Sequence, residues 1–135
     1  MSEWSFRDYL DQSGMNLIRG WLDSLPKPAR VKIDNWILLL EGMTVWPPQY
    51  VSALKGCDDI YELRIVQGGV QYRPLGCHGP SRREFTLLLG AVEKGHLPRS
   101  FCETARQRRQ IILSQRSRSC EHEFAEEADQ GEVSQ

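Results

Sequence analysis

Short runs of apolar and β-branched residues between positions 60 and 92 dominate the hydrophobic pattern of the chain. They predict extended segments at 60–66, 70–75 and 84–92. Gly68 and Gly69 separate the first two segments, and this pair predicts a tight hairpin because both residues tolerate positive φ. The third segment, EFTLLLGAV, is apolar on both faces near its middle. This pattern predicts a central strand that helices cover on one side.

The apolar side chains of the hairpin predict a single register. With the two glycines as the turn, Ile65 lies opposite Tyr72 and Leu63 lies opposite Pro74, so apolar residues face one another. A shift of one residue would bring polar side chains onto the buried face. We therefore expect this register in the folded protein.

The same register places Arg64 directly opposite Arg73. Two arginines in this arrangement repel each other unless an anion lies between them. Glu62 is one candidate for that anion, and a bound phosphate is the other, because guanidinium groups bind phosphate oxygens in a bidentate manner. A solvated strand face that carries two arginines is the third interpretation.

Helical spacing of apolar residues predicts two helices before the strands. The first begins near Ser13 or Asn16, either of which can cap it, and runs to about Leu25. Pro28 suits the first turn of the second helix, which runs to Gly42. The short connection predicts that the two helices form an antiparallel pair.

The remaining segments complete an α+β pattern. Residues 4–9 are either a short strand or a lead-in, and residues 43–53 are predicted to be irregular because they contain two consecutive prolines. Residues 98–117 predict a last helix that carries five arginines, Arg106, Arg108, Arg109, Arg116 and Arg118. These arginines form either a solvated face or a surface for nucleic acid or a protein partner.

The net charge of −1 conceals an uneven distribution along the 135 residues. Residues 1–59 sum to −2, residues 60–119 to +7 from 11 basic and 4 acidic side chains, and residues 120–135 to −6. The positive middle indicates a polyanion or an acidic protein as partner. The acidic end has no sustained apolar period. We predict one domain over 1–119 and a disordered tail over 120–135.

No metal-binding or targeting pattern is present in the sequence. The four cysteines form no C-x-x-C pair, so a zinc site is not predicted. The start, MSEWSFRDYL, lacks the apolar run of a signal peptide, and no apolar stretch is long enough to span a membrane. These features favour a cytoplasmic protein without a cofactor, in which all the cysteines are free thiols.

An ordered set of short motifs over about residues 4–113 resembles the phage-derived branch of the RelE/HigB-like toxins. The N-terminal segments FRDYLDQSG and WLDSLP are similar to that branch. The later motifs are Lys55-Gly56, Tyr61-Glu62-Leu63-Arg64, Gln71-Tyr72-Arg73-Pro74, residues 87–94, and Ala105 followed by Arg108-Arg109. The resemblance implies a compact fold in which the helical pair packs on a twisted antiparallel sheet and the last helix lies near the sheet edge.

The resemblance also implies a function. Such proteins are toxins of type II toxin–antitoxin pairs, and better-studied relatives cleave messenger RNA in the ribosomal A site. The implied partners are a small helix-turn-helix antitoxin and messenger RNA, with or without the ribosome. Metal-independent cleavage requires in-line attack of the 2′-hydroxyl on phosphorus, a base, an acid and cations that stabilise the phosphorane.

Residue roles are carried over position by position. Arg73 matches the strand arginine that binds phosphate, and Arg64 matches the arginine of the preceding strand. Lys94 matches the first lysine of a paired position whose second member is replaced here by Gly95. No motif secures the acid or the base, and His96 and His78 are the nearby side chains that titrate near neutrality.

The predicted site therefore has a catalytic part and an RNA-binding part. The catalytic candidates are Arg73, Arg64, Lys94 and His96. The RNA-binding candidates are Lys55, Arg82, Arg83, Arg106 and Arg109. Three functions remain open: an endoribonuclease, a protein-binding toxin similar to the ParE-like gyrase poisons, and a phage-derived binding module without toxicity.

Overall fold

The structure is a computed structural model that describes residues 3–93 and 95–125. Its elements follow in the order β1 (Ser5–Tyr9), α1 (Leu17–Asp23), α2 (Lys27–Glu41), β2 (Val51–Ala53), β3 (Tyr61–Leu63), β4 (Ile65–Gln67), β5 (Val70–His78), β6 (Glu84–Val92), α3 (Arg99–Ser114) and β7 (Ser119–Glu121). A 3-10 helix (Arg116–Arg118) precedes β7. The protein therefore has the mixed α+β architecture that the sequence predicts.

The strands form an open sheet in the order β2-β3-β5-β6-β1-β7, and β4 pairs with β5 beside β3. All described pairs are antiparallel except β1 with β6, which are parallel. The fully antiparallel sheet that the resemblance implies is therefore wrong at this pair. Two helices and several strands lie between β1 and β6 in the chain, and this long connection allows the parallel arrangement.

The predicted hairpin is confirmed. Ile65 of β4 pairs with Tyr72 of β5, and Gly68 and Gly69 have φ of 61° and 78°. Positive φ at both central residues is the requirement of the tight turns that match the twist of a hairpin. The strand at 84–92 has the predicted bounds, whereas β5 continues three residues beyond Leu75 to His78.

The first predicted strand is interrupted at Arg64, which separates β3 from β4. The register is the same on both sides of the interruption, because Glu62 pairs with Leu75 and Ile65 pairs with Tyr72. Pro74 of β5 lies opposite this interruption and has no backbone N–H to donate, which accounts for a gap in the ladder at this point.

Helices cover both faces of the sheet. On one face, α1 packs against β1 and β6, and α2 packs against β1 and β4. On the other face, α3 packs against β5 and β6. Phe85 and Leu87 of β6 belong to the first core, and Leu88 belongs to the second core together with Ile112 of α3. The prediction that helices cover one side of β6 is therefore incomplete.

Gly90 of β6 allows the close approach of α1. A Cβ atom at Gly90 would lie 2.1 Å from the indole of Trp21, so the Trp21 ring rests directly on the strand backbone. Asn16 is the N-cap of α1, and its side chain accepts hydrogen bonds from the backbone N–H groups of Ile18 and Arg19. Gly42 follows the last residue of α2, as predicted.

Two expectations for segments outside the central sheet are wrong. Residues 51–53, predicted to be irregular, form the edge strand β2. Residues 120–125, predicted to be part of a disordered tail, extend from β7 along β1, and His122 is buried. Residues 126–135 of the predicted tail lie outside the described residues.

A disulfide joins Cys57 to Cys102, which contradicts the prediction of four free thiols. Cys77 and Cys120 are free, and burial raises the pKa of the Cys77 thiol to about 12. The sequence gave no signal for this pairing because the two residues are 45 positions apart.

We expect protein purified without reductant to show two thiols by titration under denaturing conditions, and four after reduction. The physical reason is that the Cys57–Cys102 bond withholds two of the four sulfurs from the reagent. A Cys57→Ser variant is the matched control and should show three thiols in both conditions. Four thiols in the unreduced protein would contradict the pairing.

Candidate anion-binding cleft

A cleft of about 1010 Å³ lies between the β3–β5 part of the sheet and the first part of α3. The loop after β2 and the loop before α3 close its ends. Six basic residues line the cleft, and these are Lys55, Arg64, Arg73, Arg99, Arg106 and Arg109. Its two acidic lining residues are Glu62 and Glu103. The excess of positive charge in a concave site attracts anions.

The centre of the cleft floor is an ion pair between Arg73 and Glu62. The Arg73 Nε donates to Glu62 Oε1 at 2.7 Å, and both side chains are 4% exposed. The Arg73 Nη1 donates to the carbonyl of Gly95 at 2.6 Å. The guanidinium is therefore held inside the protein, and the expectation that Arg73 is free to bind phosphate is wrong for this conformation.

Arg64 reaches the same carboxylate from the solvent side. Its Nη2 donates to Glu62 Oε2 at 2.8 Å, and its side chain is 52% exposed. Glu62 and Arg64 are two residues apart in extended chain, so they lie on the same face of the sheet as Arg73. The anion between the two arginines is therefore Glu62, one of the candidates that the register suggested. Arg64 differs from Arg73 because it can turn toward a ligand.

The α3 wall supplies a second group of cations. Arg106 and Arg109 are three residues apart and share one face of the helix. Arg109 also lies 3.8 Å from Asp59, an exposed carboxylate in the loop between β2 and β3. Arg99 lies two helical turns before Arg106 on the same face and was missed by sequence reasoning, although its spacing of seven residues is a usable signal.

The structure brings six of the nine predicted site residues to this cleft, and they are Arg64, Arg73, His96, Lys55, Arg106 and Arg109. Lys94 lies outside the described residues. Arg82 and Arg83 do not line the cleft. Arg83 lies instead in the loop before β6, 3.5 Å from Glu3.

The other arginines near α3 have structural contacts. The Nη1 of Arg108 donates to the carbonyl of Leu88 at 2.7 Å, and its guanidinium lies 4.8 Å from the centre of the Tyr9 ring. Arg118 donates to the carbonyl of Leu10 and to the Tyr9 hydroxyl. The arginine-rich segment is therefore divided between cations of the cleft and cations that hold α3 and β7 to the sheet.

The chemistry available in the cleft is anion binding and proton transfer by histidine. Glu62 accepts one hydrogen bond on each oxygen, which leaves it poorly placed to act as a base. His96 is exposed, and among the described lining residues it is the one whose type titrates near neutral pH. Within residues 3–93 and 95–125, no group of three or more histidine, cysteine or carboxylate side chains is arranged to hold a metal ion.

The chain matches no protein-family model, and it matches no curated protein. None of the helices in the described part of the chain is long and apolar enough to cross a membrane. The geometry of the cleft is therefore the main basis for a functional proposal.

Proposed function

We propose that the cleft binds RNA and that the protein is the toxin of a type II toxin–antitoxin pair that cleaves messenger RNA without a metal ion. The observation that carries the proposal is the convergence of six basic side chains, against two acidic ones, on one concave surface. The motif resemblance supports the toxin assignment. It also supports a helix-turn-helix antitoxin as partner and action in the cytoplasm, on or off the ribosomal A site.

The cations of the cleft have two different roles in this proposal. Arg64, Arg106 and Lys55 contact the phosphates, because these side chains are exposed or lie on the cleft wall. Arg73 is a positioning residue, because its hydrogen bond to Glu62 fixes the carboxylate to which Arg64 returns when no ligand is bound. A phosphate that enters the cleft competes with Glu62 for Arg64.

The chemical step uses the RNA's own 2′-hydroxyl as the nucleophile. The 2′-oxygen attacks the adjacent phosphorus in line, its proton leaves to a base, and the bond to the 5′-oxygen breaks as that oxygen takes a proton. His96 is the proton-transfer group that the cleft offers. Arg64 faces the developing negative charge of the phosphorane and stabilises it.

A protein-binding toxin is the second candidate. One specific observation favours it: the strand arginine of the expected catalytic set is buried in an ion pair with Glu62. A cleft of this charge would then take an acidic segment of a target protein. A phage-derived module that binds but does not cleave is the third possibility and would retain RNA affinity.

We expect Arg106→Glu to weaken RNA binding by about tenfold, because it replaces a phosphate contact with a repulsive charge. Its logarithmic salt dependence should also fall by about 0.7 per lost contact on a single strand. The measurement is fluorescence anisotropy of a labelled 12-nucleotide RNA at several salt concentrations. Lys32→Glu is the matched control, since it makes the same charge change on α2, on the other side of the sheet.

The same two variants, expressed from an inducible promoter, test the toxin assignment. Arg106→Glu should relieve growth arrest and reduce cleavage of messenger RNA, whereas Lys32→Glu should leave both unchanged. Arrest without RNA cleavage in the unaltered protein would favour the protein-binding toxin. Equal RNA affinities for the two variants would contradict the cleft as the RNA site.

A further inference from the structure

We propose that an aromatic surface on the side of the sheet opposite the cleft is a second nucleic-acid contact, on which unpaired nucleobases stack. The surface consists of Trp4, Trp46, Tyr61 and His78, and we call it the aromatic platform. The inference rests on the proposed function, because it extends the path of an RNA strand that the cleft binds.

The His78 ring is the centre of the platform. Its centroid lies 4.9 Å from that of Tyr61, 5.4 Å from that of Trp4 and 6.0 Å from that of Trp46. The His78 and Trp46 rings are nearly parallel, with 19° between their planes. His78 nevertheless remains exposed to solvent at the end of β5. Parallel aromatic rings at an exposed position are suited to stacking with a nucleobase.

The two indoles are held in place by their N–H groups. The Trp46 Nε1 donates to the carbonyl of Leu40 at 2.8 Å, and the Trp4 Nε1 donates to the carbonyl of Thr44 at 3.3 Å. Because these bonds use the only polar atom of each indole, any further contact of the rings is through their faces. Rings that are already oriented lose little conformational freedom when a base stacks on them.

Core packing does not account for the whole cluster. Trp46 and Tyr61 pack partly against the buried core beneath α1 and α2, but Trp4 and His78 are not part of either core. Trp4 and His78 therefore extend the aromatic layer outward from a core that is already closed by Phe85. A purely structural role would not require these two rings.

The platform also offers polar groups that can read a base edge. Within the described residues, the Tyr61 hydroxyl and the His78 ring nitrogens have no hydrogen-bond partner. Partial burial lowers the pKa of His78, so its ring is neutral at neutral pH and presents one donor and one acceptor. A base that stacks beside these groups can exchange hydrogen bonds with them.

Arginines at the edge of the platform supply positive charge. Arg82 and Arg83 are exposed in the loop before β6, and the Arg83 guanidinium lies 5.8 Å from the centre of a Trp4 ring. Arg83 also lies 3.5 Å from Glu3, but both side chains are more than 40% exposed, at 43% and 45%. An exposed pair of this kind is weak, so a phosphate can replace the carboxylate. This places the two predicted RNA-binding arginines that the cleft does not include.

A strand can pass from the cleft to the platform around the sheet edge. Tyr61 pairs with Ala53 of β2, and Lys55 of the cleft follows Ala53 by two residues. In the described part of the chain, β2 is the outermost strand on this side, so no further strand blocks the passage. Tyr61 and its neighbour Glu62 point to opposite faces of β3, one toward the platform and one toward the cleft.

The test compares two labelled 12-nucleotide single strands with equal numbers of phosphates, one with bases and one abasic. We expect Trp4→Ala and His78→Ala to weaken binding of the strand with bases by about tenfold and to leave binding of the abasic strand unchanged. Arg106→Glu, in the cleft, should weaken both. Circular dichroism and the urea midpoint establish that the platform variants are folded.

The outcomes separate this inference from the proposed function. If the platform variants lower the affinity for the strand with bases and Arg106→Glu does not, the platform stands and the cleft proposal fails. If only Arg106→Glu has an effect, the cleft stands and the platform is overturned. Self-association that Trp4→Ala abolishes, with unchanged affinity for both strands, would also overturn it in favour of a protein contact. Binding of neither strand by the unaltered protein overturns both.

Discussion

Glu62→Ala is expected to lower the free energy of unfolding by about 3–5 kcal/mol, because it leaves the Arg73 guanidinium buried without its carboxylate. The Arg73 side chain is 4% exposed, so water cannot replace the lost partner without a rearrangement of the cleft floor. Urea denaturation, followed by circular dichroism, measures the change.

Two variants make this prediction specific. Arg64→Ala removes the other partner of Glu62, but the Arg64 side chain is 52% exposed, so we expect a loss of at most about 1 kcal/mol. The double variant Glu62→Leu with Arg73→Met removes both charges and should regain most of the stability lost in Glu62→Ala. Equal stabilities for Glu62→Ala and Arg64→Ala would contradict the buried pair.

This ion pair also changes how activity data must be interpreted. Arg73→Ala would leave Glu62 buried without its main partner, so the variant would lose activity by unfolding whether or not Arg73 binds phosphate. Arg64→Ala is the cleaner probe of transition-state stabilisation. Its side chain is exposed, and its loss leaves Glu62 paired with Arg73.

The stability of the protein should fall by about 3 kcal/mol between pH 6.5 and pH 9, because His122 is held as a cation in the folded state. Its Nδ1 lies 2.7 Å from Asp8 and its Nε2 lies 2.9 Å from Asp34. Burial lowers the pKa of His122, but the hydrogen bonds and charges of Asp34 and Asp8 raise it more, so the pKa rises from 6.5 to about 9.

The direction of the pH effect follows from this raised pKa. The contribution of His122 to stability is fully present below pH 6.5, where the ring is protonated in both the folded and the unfolded chain. It is lost as the pH rises through the folded-state value of about 9. We expect His122→Gln to be less stable at pH 6 and to show a flatter dependence between these limits. His96→Gln, at an exposed position, should keep the pH dependence of the unaltered protein.

Loss of the His122 contacts should also release the segment that follows β7. The backbone N–H groups of Glu123 and Ala125 donate to Asp8 and Asp34, the same two carboxylates that hold His122. Hydrogen exchange at residues 119–125 should therefore accelerate in His122→Gln. A slow exchange that persists at pH 9 would contradict the role of the protonated ring.

The elements that depend on neighbouring residues could be predicted from the sequence. The turn at Gly68 and Gly69 and the cap at Asn16 follow from local backbone and side-chain chemistry, and both are confirmed. The pairing of Ile65 with Tyr72 follows from the short span that the turn bridges. Arg106 and Arg109 share a helix face because their spacing fixes it.

The elements that depend on distant residues could not be predicted in this way. His122 is 114 residues from Asp8 and 88 residues from Asp34, so an acidic segment with no apolar period gave no sign of its buried histidine. Formation of the Cys57–Cys102 bond depends on how α3 packs against the loop after β2. The parallel pairing of β1 with β6 likewise depends on the whole chain between them.

By itself the sequence determined a helical and extended pattern, one hairpin register and a positively charged middle, because each is set by residues close to one another along the chain. The tertiary structure alone decided that Glu62 holds both strand arginines and that Arg73 is enclosed while Arg64 is free to turn. It also decided that the cleft gathers cations from three separate segments. Burial and charge pairing depend on which segments meet in space, and only the folded chain brings those segments together.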